Sequence, residues 1–294
     1  MAEVPEQFDV ETVSLTEIGA AIEQARLEAS LTGSYKPYVV VATGERLTFE
    51  EYLTCGVETR HDPYPEGYWE NGEGSNYHGY GDDAGWHQTA RVMHDHVGDG
   101  IRILELGCAS GYFVQAAKVH FDHVQGIDLS SYAVGKPAPG ATGDITVGTA
   151  TDLSQFRGRP DAPELICSWE MLEHLTEPEV TSCITEIMAT LPANGETWHR
   201  IALDTEGDPS FHGIPDHHPH DDHTHVTVKS KEWWRETFEH FLWHGDDGEF
   251  YIFQRLPREE NALSREFRGR DWENRFFVYR KTRIVPADSF TANI

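Results

Sequence analysis

The 294-residue chain has no apolar stretch near the roughly 18 uninterrupted residues a membrane helix needs. Its start, Met-Ala-Glu-Val-Pro-Glu, lacks the basic-then-apolar order of a secretory leader, so a cytoplasmic protein with no membrane partner is expected. Cysteine is scarce. Cys55, Cys108, Cys167 and Cys183 stand singly, without the close pairing of zinc ribbons, redox dithiols or disulfide frameworks, so reduced, mostly buried thiols are expected. Basic residues are few as well: 23 Lys and Arg, only six of them lysine, face 50 Asp and Glu, for a formal net charge of -27. Such a surface repels polyanions. It suits either general acidic solubility or a high-salt interior in which self-repulsion is screened.

The basic residues are unevenly spread. Gln254 to Arg283 holds eight arginines and Lys281 against five acids. These either pair with the acidic excess elsewhere or line a site for an anionic substrate.

Residues 1–60 read as an N-terminal helical extension, with an amphipathic helix at Ser14 to Ala29, a short apolar run Tyr38 to Val41 and a second helix near Thr48 to Leu53. Residues 61–100 change character. Their first part, HDPYPEGYWENGEGSNYHGYGDDAGWH, mixes turn-forming glycines with aromatics that are costly to solvate, which fits a lid over a ligand or an ordered surface loop equally. From residue 101 to the end, short apolar strands alternate with helices. Strands are expected at Ile101 to Leu106, His123 to Ile127, Ile145 to Gly148, Leu165 to Ser168 and Trp198 to Leu203, with helices at Gly111 to Val119 and Glu177 to Leu191. A later helix, Ser230 to Phe241, precedes two strand candidates, Phe250 to Gln254 and Arg275 to Arg280. This alternation implies an α/β fold: a doubly wound, mostly parallel, seven-stranded sheet with helices on both faces and an antiparallel C-terminal edge.

The chemistry starts at the first strand's end. Glu105-Leu-Gly-Cys-Ala-Ser-Gly111 joins that strand to a helix, where an α/β sheet binds its ligands. Glycines let the backbone approach a ligand closely, and freed N–H groups at a helix start meet a carboxylate. In the second strand, Gly126-Ile-Asp128-Leu129 ends on an acid suited to two ribose hydroxyls. A nicotinamide dinucleotide site has similar spacing, but Val114 stands where that fingerprint has its third glycine.

These residues resemble the class I S-adenosylmethionine-dependent methyltransferases, over roughly residues 77–205. Their acid-x-Gly-x-Gly-x-Gly motif is matched by Glu105, Gly107, Ala109 and Gly111, with alanine at the middle glycine. The resemblance implies a Rossmann-like fold with S-adenosyl-L-methionine as cofactor. Gly107, Cys108, Ala109 and Gly111 would lie along its methionine part, Asp128 and Leu129 at the ribose, and Thr151, Asp152 and Ser168 nearby. Family members usually present an Asp to the adenine after strand three; here Thr149 falls at that position, with Asp152 following.

After the fourth strand comes Ser168-Trp-Glu170-Met-Leu-Glu173-His174-Leu. On a helical turn Glu170, Glu173 and His174 fall at i, i+3 and i+4, so all three are expected on one face, able to hold a divalent cation or supply a base. The stretch resembles the Glu-x-x-Glu-His segment of ubiquinone-biosynthesis O-methyltransferases and of small-RNA terminal 2'-O-methyltransferases. In those families it is tied to a divalent metal such as magnesium or manganese, completed in the RNA enzymes by a later histidine; many relatives share it without metal. Phe211 to His225 holds six histidines, and Asp222-His-Thr-His225-Val with Ser230-Lys-Glu-Trp233-Trp234 resembles a bacterial methyltransferase segment that points to His225 as pocket-facing, with His223 second.

Since the sulfonium already activates the methyl group, the protein mainly aligns a nucleophile and removes its proton, here with His174, Glu173 or His225. O-methylation of a small molecule or sugar is expected, with N-methylation as the alternative acceptor chemistry. The alternatives are a metal-dependent RNA ribose methyltransferase, which the global charge disfavours, and a non-catalytic cofactor-binding or assembly protein.

Overall fold

The computed structural model describes residues 39–40, 46–47, 64, 66–70, 80–204, 222, 224–256 and 275–284. One sheet organises them. In chain order its strands are β1 (Arg102–Leu106), β2 (His123–Asp128), β3 (Ile145–Val147), β4 (Leu165–Trp169), β5 (Glu196–Arg200), β6 (Leu242–His244), β7 (Phe250–Arg255) and β8 (Phe276–Ile284). Their spatial order is β3-β2-β1-β4-β5-β8-β7-β6. The first five pair in parallel and the last three antiparallel. The expected doubly wound α/β sheet is present, with eight strands where seven were expected. The additional one, β6, is three residues long and too short to leave a period in the sequence.

Central parallel strands are covered on both faces and so carry continuous apolar runs; β4, Leu-Ile-Cys-Ser-Trp, is buried at every position. Alternation sends neighbours to opposite cores. Leu104 packs with the helices α5 (Glu177–Thr190) and α6 (Lys231–Glu239), while Ile103 packs with α2 (Ala84–Val97) and α3 (Tyr112–Ala117). A capping box starts α5, the Glu179 carboxylate accepting the Thr176 amide at 2.8 Å. Two short helices, α1 (Glu66–Glu70) and α4 (Ser131–Val134), lie near the sheet's carboxyl edge.

Helix α2 has no counterpart among the elements expected from the sequence. Its apolar residues Trp86, Ala90, Met93 and Val97 do recur at helical spacing, and Asp83 caps it through the Gly85 amide, but the glycine- and aspartate-rich stretch before it masks that period. The expected strand Trp198 to Leu203 starts earlier. Glu196 sits inside β5 because the Trp198 indole (2.9 Å) and Arg280 (2.6 Å) satisfy its carboxylate. β8 runs four residues past Arg280, beyond the end of its pairing with β5, because Lys281 to Ile284 pair with β7.

Of the N-terminal expectations, Val39–Val40 pairs antiparallel with Arg46–Leu47, whereas Ser14 to Ala29 and Thr48 to Leu53 lie outside the described residues. Among the described residues no helix is long and apolar enough to cross a membrane. Cys108, Cys167 and Cys183 are free, buried thiols. In the basic C-terminal stretch, Arg255, Arg280 and Arg283 pair with Glu239, Glu196 and Glu249, as acid-neutralising partners would.

Candidate active site

The chain runs outward from β1 to β2 and β3, then returns across β1 to β4, which places a topological switch point between β1 and β4. A cavity of 440 Å³ opens there, within the range of about 300–1,000 Å³ typical of ligand sites.

The turn after β1 forms one half of the site. Gly107, Ala109 and Gly111 all have positive φ (70°, 48° and 78°). At Gly107 side-chain size also matters, because a Cβ there would lie 2.3 Å from Met171 Cγ. The amides of Gly107 and Cys108 donate to the Ile127 carbonyl (2.8 and 3.0 Å). The Ala109 and Ser130 amides donate to the two oxygens of Asp128, each at 2.7 Å. Asp128 is thereby pinned at the cavity wall.

Glu105 shares that wall and is buried, and among the described residues its Oε2 has no hydrogen-bond partner. Burial, and secondarily the charge of Asp128, push its carboxyl well above the usual range, against the Val114 amide, which lowers it. Leu129, Thr149 and Thr151 also line the cavity, the two threonine hydroxyls 2.8 Å apart.

Four residues expected near the cofactor do not line this cavity. Cys108 is buried against Gly126, and Gly111 opens α3 beside Ala141 and Ile145. Asp152 turns back to accept the Ser154 amide at 3.0 Å, and hydrogen bonds from Ser154 hold its carboxyl low. Ser168 is hydrogen-bonded to the buried His199 Nδ1 at 2.7 Å.

The segment after β4 forms the other half. Glu170, Glu173 and His174 do not share one helical face, because only Leu172–His174 is helical and Glu170 is left-handed, at φ 55°. That bend lays Glu170 against Arg200: its carboxylate meets Nε at 3.1 Å and its amide donates to the Arg200 carbonyl at 2.7 Å. Glu173 points inward. It is fully buried, accepts the Ala202 amide at 3.0 Å through Oε1, and its Oε2 has no hydrogen-bond partner among the described residues. Burial and the charge of Glu170 push its carboxyl well up. The Glu173 carbonyl accepts the amides of Val226 (3.0 Å) and Thr227 (2.9 Å), drawing the 224–227 stretch into the site.

That stretch brings His225 to His174, their rings edge to face with centroids 4.5 Å apart. Ligand atoms of Glu173, His174 and His225 lie within 4.8 Å of one another, so three of the four candidate metal ligands cluster and Glu170 stands apart on Arg200. His174 lines the cavity; burial, with His225 beside it, pulls its pKa down to about 3, so the ring is neutral. Its Nδ1 is 2.8 Å from the Thr224 hydroxyl. His223 and the histidines before it lie outside the described residues.

Aromatic rings close the top. Tyr64, Tyr68, Trp69 and Tyr80, from the glycine-rich stretch, line the cavity and contact one another edge-on. The Trp69 indole donates to Ser130 Oγ at 3.1 Å, next to Asp128, and Tyr132 and Lys136 tie Glu70 to the outer face at 2.7 and 2.8 Å. Arg200, Asp222, Thr224 and Tyr68 are site residues that sequence reasoning missed. The run Asp222-His-Thr-His225 contained two of them, but only the histidines drew notice.

A Rossmann-like sheet whose switch point presents a glycine turn, two buried acids and an imidazole defines an enzyme of the nucleotide-cofactor α/β class. The chain belongs to the methyltransferase-domain family, whose model matches residues 87–241. No curated protein matches it. Among similar solved structures is phosphoethanolamine N-methyltransferase 1 of Haemonchus contortus, in complex with phosphoethanolamine and S-adenosylhomocysteine. It is 15% identical, with a TM-score of 0.50, over 67% of this chain and 43% of that one, so this chain spans less than half its length. That likeness is one of fold. Phosphoethanolamine N-methyltransferase 2 of the same organism, with S-adenosyl-L-methionine, aligns at 15% identity and a TM-score of 0.48, over 77% of this chain and 61% of that one. A Haloferax volcanii putative methyltransferase in complex with the Trm112 activator aligns at 21% identity and 0.42, over 68% of this chain and 90% of that one.

Proposed function

We propose that the protein transfers the methyl group of S-adenosyl-L-methionine to a hydroxyl of a small molecule or sugar. The observation that carries this reading is the pair Glu105 and Asp128 on one cavity wall, the first with a buried oxygen that has no hydrogen-bond partner among the described residues and the second fixed in place by two amides. A ligand with an ammonium group and two vicinal hydroxyls satisfies both. The cofactor supplies an activated methyl on a positive sulfur, and everything else falls to this chain. Glu105 attracts the ammonium, while Gly107 and Ala109 let the backbone run close to the methionine part. Asp128 accepts from the ribose, and the aromatic wall with its tied helix α1 keeps water out. Neutral His174, across the cavity, takes the acceptor's proton.

Calorimetry with S-adenosylhomocysteine tests the cofactor half, with one-to-one binding expected. No binding, or preferred binding of a nicotinamide dinucleotide, overturns the reading. Tritiated methyl transfer into fractionated extract tests the acceptor, and label is expected in the small-molecule fraction. Label in RNA instead would favour the ribose methyltransferase, which the charge of -27 opposes; label nowhere would favour a non-catalytic binding protein.

A divalent metal is a second reading, favoured by a Glu173 oxygen that has no hydrogen-bond partner among the described residues and lies beside two imidazoles, as the likeness to the Glu-x-x-Glu-His enzymes implies. One carboxylate and two imidazoles suit manganese or zinc better than magnesium, which prefers oxygen ligands. Glu173, His174 and His225 would hold it, and it would lower the acceptor hydroxyl's pKa. Manganese binding lost in His225→Ala is the expected result; turnover intact in chelator and indifferent to added metal sinks the idea.

A further inference from the structure

Tyr64 and α1 cross the top of the cavity, and Tyr64, Tyr68 and Trp69 are among its lining residues. Ser130 fastens this strap on the inner side. Its hydroxyl donates to the Tyr64 carbonyl at 2.9 Å and accepts the Trp69 indole at 3.1 Å and the Ala133 amide at 3.2 Å, which uses its one hydrogen and both lone pairs. The Ser130 amide holds Asp128. The strap is therefore tied beside the acid assigned to the ribose. Tyr68 adds a further inner tie, donating to Asp222 at 3.1 Å.

A second set of ties lies on the outer face. The Tyr132 hydroxyl is 2.7 Å from the Glu70 carboxylate and 3.2 Å from that of Glu66. Lys136 reaches Glu70 at 2.8 Å and also meets the Tyr132 hydroxyl. Glu66, Glu70, Tyr132 and Lys136 do not line the cavity, and the side chains of Lys136 and Glu70 are 54% and 50% exposed. Exposed pairs of this kind are weak, each shifting an equilibrium by roughly two- to fivefold.

We propose that Tyr64 and α1 form a gate for cofactor exchange, held shut from outside by Tyr132 and Lys136 gripping Glu66 and Glu70. The proposal rests on the methyl-transfer reading for the identity of what passes. A cofactor seated on Asp128 lies beneath the ring wall, so entry and exit both require the strap to lift. The outer ties touch no ligand and act on the empty and the filled cavity alike. Loosening them therefore speeds entry and exit by the same factor and leaves Kd unaltered, whereas loss of a ligand contact speeds exit alone. Salt acts in the same direction, because it screens the Lys136–Glu70 pair.

Surface plasmon resonance with S-adenosylhomocysteine on the full chain tests this. Tyr132→Phe and Lys136→Gln should each raise both rate constants roughly two- to fivefold, with Kd held within about twofold. Raising salt should speed both steps in wild type and do so less in Lys136→Gln. Lys118→Gln, which breaks the equally exposed pair with Asp144 on α3's far end, should alter neither rate. Unchanged rates in the Tyr132→Phe/Lys136→Gln double variant overturn the gate, and so does a faster exit with entry unchanged. Hydrogen–deuterium exchange on ligand-free protein gives a readout that needs no cofactor: the 64–70 peptide should exchange faster in the double variant, and an unchanged peptide overturns the gate whatever the cavity binds. No binding by wild type defeats the methyl-transfer reading, whereas binding with unmoved rates defeats the gate alone.

Discussion

The Ala109 amide donates to Oδ2 of Asp128 across 2.7 Å, so the turn that leaves β1 and the acid that ends β2 form one rigid unit. The Ser130 amide holds the other oxygen. Asp128→Ala removes both anchors and leaves buried donors unpaired, at about 1–3 kcal/mol each. S-adenosylhomocysteine affinity should fall at least tenfold, about 1.4 kcal/mol, with a lower Tm. Asp128→Asn should fall between, and calorimetry showing unchanged affinity removes Asp128 from the site.

Gly107→Ala places a Cβ 2.3 Å from Met171 Cγ at φ 70°. The left-handed conformation alone is worth roughly 1–2 kcal/mol against an alanine, and relief of the clash moves Met171 within the cavity it lines. Cofactor binding should be lost in the single variant and partly restored by adding Met171→Ala, as a double-mutant cycle in calorimetry would reveal. Full binding by the single variant contradicts the close-approach argument.

Glu105→Gln separates stability from binding. The folded carboxyl has its pKa raised above 4.5, chiefly by burial, so the folded state holds its proton longer than the unfolded chain does. Its contribution is full below about pH 4.5 and is lost as pH rises towards the folded value. In ligand-free protein the variant should therefore have the higher Tm at pH 8 and little advantage at pH 4, while binding S-adenosylhomocysteine more weakly. A variant less stable at both pH values would count against an uncompensated carboxyl.

His199 predicts an acid limb of opposite origin. Its two nitrogens are hydrogen-bonded to Ser168 and Thr197, each at 2.7 Å, and burial lowers its pKa from 6.5 to about 3. The unfolded chain takes up the proton first, so stability is unaffected above about pH 6.5 and declines below it, by about 1.4 kcal/mol per pH unit, until about pH 3. His199→Gln should remove that much slope from urea midpoints measured between pH 6 and 4. An unaltered slope would mean that His199 does not titrate as its surroundings require.

The half of the site from β1 to β2 was legible because its parts lie within about thirty residues in a fixed order: strand, glycine turn, helix, strand, acid. The other half was legible only as residue types. Glu170, Glu173 and His174 were found, but the expectation of a shared face assumed a regular helix, and the left-handed Glu170 sends one carboxylate to Arg200 and the other into the core. Helix α2 was hidden by the glycines before it, and β6 by its three-residue length.

The order of apolar and glycine residues by itself determined the alternating sheet, the switch point and the acid at its edge, because backbone geometry and burial on both faces act over neighbouring residues. Only the tertiary structure decided the pairing of His174 with Thr224, 50 residues on, and of Asp222 with Tyr68, 154 residues back. Those partners meet because the Glu173 carbonyl and the tied aromatic wall fold distant segments onto one strand end, and a hydrogen bond across such separations leaves no period in the sequence.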